Sequence, residues 1–236
     1  MSSIKRQARI AGLLYLLACI PAPFALIYVP GALIVPGDAT ATANHVRASE
    51  TLLRLGIAGE LISAAAFIFV VFALYRLFEG VNKQLASLMV TLFVVSVPIS
   101  FLNVLNDVAA LILARGADFL SVFDKGQLDA LVLLFLRLHN YGLLVAQIFW
   151  GLWLIPFGLL VMRSGFIPRV LGIFLMIACL GYLASSFTPL LLPEYARLVS
   201  RFATVLELGE LSVLWLLIWG AKAQPLGKQS AFVAGG

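Results

Sequence analysis

Four acids and one histidine sit inside long apolar runs: Glu60, Asp107, His139, Glu207 and Glu210. Amides stand near them: Asn103 and Asn106 before Asp107, Asn140 after His139, and Gln147 further on. Arg54, Arg137 and Arg201 lie in the same runs. Spacing groups these residues. Asn103, Asn106 and Asp107 are at i, i+3 and i+4, so on a helix they share one face. Glu207 and Glu210 are at i and i+3, with Thr204 a turn earlier. Asn140 and Gln147 share a face that His139 flanks. In such a setting carboxylates with one imidazole can bind a small ligand, a lipid headgroup or an ion, protons included. They can also ligate a hard or iron-type metal and run chemistry on it. A third use is to fasten helices as a buried network of ion pairs and hydrogen bonds.

Nothing in the sequence singles out catalysis. No HExxH, GxSxG or paired CxxC occurs. The second histidine, His45, falls in a polar connection, and no serine is spaced to pair with His139. The residues therefore assign no catalytic role, no metal ligand and no cofactor. Cys19 and Cys179 both lie in apolar segments and read as small packing residues.

The elements that must position the polar residues are membrane helices. The chain is 62% hydrophobic and 11% charged, with a mean hydropathy of +1.06; soluble domains run nearer a quarter charged. Six apolar runs reach the ~20 residues that a bilayer core requires. They cover about Ile10–Val29, Thr51–Leu77, Leu85–Ala114, Leu128–Met162, Phe166–Phe187 and Leu198–Trp219. The expected fold is an all-α, six-helix transmembrane bundle over residues 1–222, with a disordered cytoplasmic tail at 223–236. Lys5, Arg6 and Arg9 precede the first run, and Leu16-Leu17-Ala18-Cys19 looks like a lipoprotein cleavage box. The apolar character continues past that box, as in an uncleaved span. Pro21 and Pro23 should kink this helix. Pro30–Glu50 reads as a loop. Gly151, Pro156 and Gly158 predict a bend late in the fourth span. The tryptophans at 150, 153, 215 and 219 suit membrane interfaces or lipid-facing bulk.

Six spans put both termini on one side. That side and its connections hold nine cations, among them Lys5, Arg76, Lys83, Arg163 and Arg169, against the single acid Glu79. The positive-inside rule places it in the cytoplasm. The positive balance points to membrane orientation and not to nucleic acid, since no basic run with interleaved aromatics occurs. Measured from the other helix ends, Glu60, Asn103, Asn106, Asp107, His139, Asn140, Glu207 and Glu210 fall at similar depths, ~10–18 Å in. Each central charge is costly, ~2.5–3.5 kcal/mol on the insertion scale, so these faces should point inward. The expectation is a polar cavity in the outer half of the bundle. Those eight residues and Arg137 would line it, and it would bind a small molecule, lipid headgroup or ion. A metal-dependent enzyme and a purely structural network are the alternatives.

The blocks ARIAGLLYLL (Ala8–Leu17), RLHNYGLLVAQIFWGLWLIPFGLLVMRSGFIPRVLG (Arg137–Gly172) and GELSVLWLL (Gly209–Leu217) resemble the bacterial integral membrane proteins of domain-of-unknown-function family 4386. The resemblance runs from Ala8 to about Gly220. It implies a multi-span protein of the bacterial cytoplasmic (inner) membrane, with the lipid bilayer as its partner. It implies no activity and no site residues.

Overall fold

The computed structural model describes residues 3–220, apart from the Ser3 and Leu211 side chains; the expected tail at 223–236 lies outside the described residues. The described chain is helical, in the order α1 (Ser3–Cys19), α2 (Pro21–Pro23), α3 (Val29–Leu33), α4 (Ala39–Ala48), α5 (Glu50–Phe78), α6 (Lys83–Arg115), α7 (Lys125–Leu152), α8 (Leu154–Ser164), α9 (Arg169–Leu191), α10 (Ala196–Glu207) and α11 (Trp215–Ile218). Among the described residues, five helical stretches are long and apolar enough to cross a membrane: Ile4–Leu33, Glu50–Phe78, Lys83–Arg115, Lys125–Ser164 and Arg169–Leu191. They fit a multi-pass integral membrane protein. The run expected as a sixth span, 198–219, is helical but divided: α10, a 3₁₀ segment Leu208–Leu214, then α11. The tightening includes Gly209, where an added Cβ would come 2.5 Å from the Phe174 carbonyl oxygen.

Helix starts follow local chemistry. Asp38 caps α4, its carboxylate accepting from Ala41 N at 2.8 Å. Asn82 caps α6, accepting from Leu85 N at 2.8 Å. Asp124 and Gln127 form a reciprocal capping box at α7: Gln127 N donates to Asp124 Oδ1 at 2.8 Å, and Asp124 N donates to Gln127 Oε1 at 3.0 Å. Prolines mark the interruptions. The first span bends at Ile20, resumes at Pro21 and passes through a π-helical turn, Phe24–Tyr28. Beside that break Ser63 Oγ donates to the Ala18 carbonyl at 2.7 Å, supplying a partner where lipid offers none. The fourth span breaks at Trp153, between α7 and α8. Pro156 has no N–H to donate to the Leu152 carbonyl, and the expected bend is found there.

Two compact units emerge. One comprises the described residues up to Leu16, Phe69–Phe93 and those from Trp150 on; the other comprises Leu17–Ile68 and Val94–Phe149. In the first, Trp153 is buried and packs edge-on against Phe93, with ring centroids 5.1 Å apart, and stacks on Phe157 at 5.3 Å. The interfacial or lipid-facing position expected for Trp153 is thus corrected: the residue belongs to an aromatic core that Phe78 and Phe166 extend. Helices α8 and α9 cross closely. A Cβ on Gly158 would come 2.7 Å from the Gly172 carbonyl, and one on Gly172 2.6 Å from that of Gly158. Lipid tails are as apolar as leucine, so such close packing, rather than burial from water, holds helices together in a bilayer.

The second unit contains a correction to the loop expected at Pro30–Glu50. Residues 39–48 form α4, which buries Thr42, Ala43 and Val46. Thr42 Oγ1 accepts from Val35 N at 3.0 Å and donates to the Asp38 carbonyl at 2.8 Å. Small residues with few strong hydrophobes hid the helix, although the Asp38 cap and the i, i+4 pair Thr42/Val46 carry its signature. Arg47, on the same helix, pairs with buried Asp129 at 2.9 Å.

Candidate functional site

The second unit brings Glu60 from α5, Asn103, Asn106 and Asp107 from α6, and His139 from α7 into one cluster. Glu60, Asn103, Asp107 and His139 are between 5% and 8% exposed. The imidazole lies between two carboxylates. His139 Nε2 is 3.3 Å from Glu60 Oε2, and Nδ1 is 3.3 Å from Asp107 Oδ2. One ligand atom from each of the three residues lies within 4.8 Å of the other two. Glu60 Oε1 is buried and, among the described residues, meets no hydrogen-bond partner.

An amide relay holds the histidine in place. Asn103 Nδ2 donates to the His139 carbonyl at 2.9 Å and lies 3.4 Å from His139 Nδ1. A carbonyl oxygen can only accept, so this contact fixes which end of the amide is NH₂. Asn106 Nδ2 donates to the Asn103 carbonyl at 3.0 Å and to Asn103 Oδ1 at 3.1 Å. The approach of Asn103 to α7 requires Gly142, where an added Cβ would sit 1.8 Å from Asn103 Oδ1. Sequence reasoning missed Gly142. Its signal was a glycine three residues after His139, inside an otherwise bulky apolar helix.

A small void adjoins the cluster, lined by Asp107, His139, Asn140, Gly56 and apolar side chains. It offers about 20 Å³ for the centres of water-sized molecules, enough for a water or an ion and too little for a lipid headgroup. Asn140 borders this void although it is exposed; Arg137 is exposed as well. Arg54 pairs with Glu50, one turn earlier, at 2.7 Å. Among the described residues, neither Glu60 nor Asp107 has a lysine or arginine within salt-bridge distance.

Glu207 and Glu210 lie in the first unit, with partners of their own. Glu210 Oε1 accepts from the Tyr15 hydroxyl, and Oε2 from the Tyr182 hydroxyl at 2.6 Å. Glu207 Oε1 accepts from Ser185 Oγ at 2.6 Å. These contacts join α1, α9 and the divided helix. Neither tyrosine was among the sequence-selected residues, because a phenol in a membrane helix reads first as apolar bulk. Arg201 is exposed.

Searches among curated proteins and among solved structures return no match. The family described as "Domain of unknown function (DUF4386)" matches residues 10–220. The chain belongs to that family.

Proposed function

We propose that this multi-pass protein crosses a bacterial cytoplasmic membrane six times, with both termini inside, and binds a cation at Glu60, Asp107 and His139. The observation that carries the reading is the burial of two carboxyl groups and an imidazole with, among the described residues, no lysine or arginine in salt-bridge range. With both carboxylates ionised and the imidazole neutral, the trio sums to minus two. Such a deficit is very costly away from water. Bound protons or a metal ion remove it. The size of the adjoining void favours an ion over a lipid headgroup or amphiphile. Asn103, Asn106 and Asn140 then serve as positioning and lining groups. The divided run 198–219 acts as the sixth span; it is long enough at ~1.5 Å per residue, and six crossings keep the basic connections on one side.

For Glu207 and Glu210 a fastening role fits better, because hydroxyl donors already meet their oxygens. The test compares melting of purified protein with that of the Glu60→Gln/Asp107→Asn double variant. Melting is followed between about pH 5 and 9 and with added divalent ions or chelator. Wild type should respond to one of these treatments and the variant should not. A wild-type melting temperature indifferent to all of them would remove the cation reading.

A further inference from the structure

We infer that the cation is a divalent first-row transition metal, ligated by His139 Nδ1 and Asp107, with Glu60 as the carboxylate that orients the ring. This rests on the cation-binding reading and specifies its ligand. With the proton on Nε2, the Nδ1 lone pair is free for a metal, since Asn103 Nδ2 gives its hydrogen bond to the His139 carbonyl at 2.9 Å and stands 3.4 Å from Nδ1. The Nε2 proton then points toward Glu60 Oε2, 3.3 Å away. On the other side of the ring, the Nδ1 lone pair faces Asp107 Oδ2 across 3.3 Å. Two acceptors that face each other at this distance need positive charge between them.

The spacing accommodates a metal ion. Nitrogen and oxygen atoms bound at ~2.1 Å to one metal, at tetrahedral or octahedral angles, are ~3.0–3.4 Å apart. The observed 3.3 Å from Nδ1 to Oδ2 accommodates that spacing, and equally an N–H···O contact, which the chelation test separates. A carboxylate on the far nitrogen of a ligating histidine is the usual arrangement that fixes its tautomer and raises its basicity. Glu60 occupies that place. The void bordered by Asp107, His139 and Asn140 has room for a metal-bound water. An imidazole with carboxylate oxygens favours zinc, manganese or iron over calcium or magnesium, which prefer oxygen alone. One dication, two carboxylates and a neutral imidazole also sum to zero.

The test is metal analysis of the full-length protein purified in detergent, followed by chelation and titration with zinc chloride. About one metal per chain is expected, with melting lowered by the chelator and restored by zinc. Asp107→Asn and His139→Gln should lose the metal, and Glu60→Gln should bind zinc ~10–100-fold more weakly. Chelator-treated wild type carries the test if a variant fails to fold. If zinc neither binds to it nor raises its melting temperature, while melting still shifts with pH, the metal inference is overturned and the cation reading survives with protons. Equal metal in wild type and in both ligand variants would also overturn it. A wild type indifferent to metal and to pH would remove both proposals.

Discussion

Glu60 is buried and Glu210 half-buried, and the two carboxylates have opposite surroundings. Glu210 has a phenolic donor on each oxygen, Tyr15 on one and Tyr182 on the other. Glu60 has an imidazole edge on one oxygen and, among the described residues, no hydrogen-bond partner on the other. The first arrangement is complete as it stands: it ties helices by bonds that lipid cannot replace. The second has two carboxylates for one ring and leaves acceptors facing one another. A satisfied network holds structure, whereas a network short of protons or cations is built to take something up.

Removing the donors from the satisfied cluster should produce the largest effect. Tyr15→Phe/Tyr182→Phe strips both hydroxyls from Glu210 and leaves its aromatic packing in place. Each acceptor left without its donor costs ~1–3 kcal/mol, so a loss of about 3 kcal/mol or more is expected by denaturation in detergent micelles. If the double variant melts with wild type, Glu210 is not a fastener and the contrast with Glu60 fails. Gly142→Ala comes next. The new Cβ would meet Asn103 Oδ1 at 1.8 Å, so the amide must leave the His139 carbonyl and Nδ1. The expected cost is ~1–3 kcal/mol for the unsatisfied groups. Cation binding should weaken at the same time. Destabilisation with unchanged binding would show that Asn103 does not position the ring.

A matched pair of substitutions sharpens the comparison at a smaller scale. Glu210→Gln replaces one acceptor oxygen by an NH₂ facing a hydroxyl, and should cost ~1–2 kcal/mol. Glu60→Gln removes a charge from a cluster that has too many, and should be neutral or stabilising in the absence of metal. The measurement is the difference in melting between each variant and wild type, in chelator. Equal losses at both positions would mean that the two carboxylates do the same work.

Much of this was legible in the sequence, for reasons that can be named. Asn103, Asn106 and Asp107 declared a shared face by spacing alone, and that face meets His139. The breaks near Pro21 and Pro156 follow from single residues. What stayed hidden depends on contacts between distant segments. Equal depth suggested one layer for Glu60, Asp107, Glu207 and Glu210, but depth says nothing about which helices are neighbours. The tyrosine partners of Glu210 are 195 and 28 residues away, and no periodicity links them. Trp153 looked interfacial because tryptophan usually is in membrane helices; only packing against Phe93 and Phe157 reveals its place in a core. The α4 helix was masked by its small residues.

The least effect is expected from charges that belong to neither cluster. Arg54 and Arg115 both reach Glu50, at 2.7 and 2.6 Å, but their side chains are 49% and 59% exposed. Water and salt screen such pairs, and holding long side chains in one pose offsets much of the attraction. Arg54→Ala should therefore leave melting at physiological salt unchanged within error, and should leave cation binding untouched. The same experiment at low salt should reveal a small loss, since screening falls as ionic strength drops. A large, salt-independent loss would mean that the helix ends around Glu50 govern the fold of this unit.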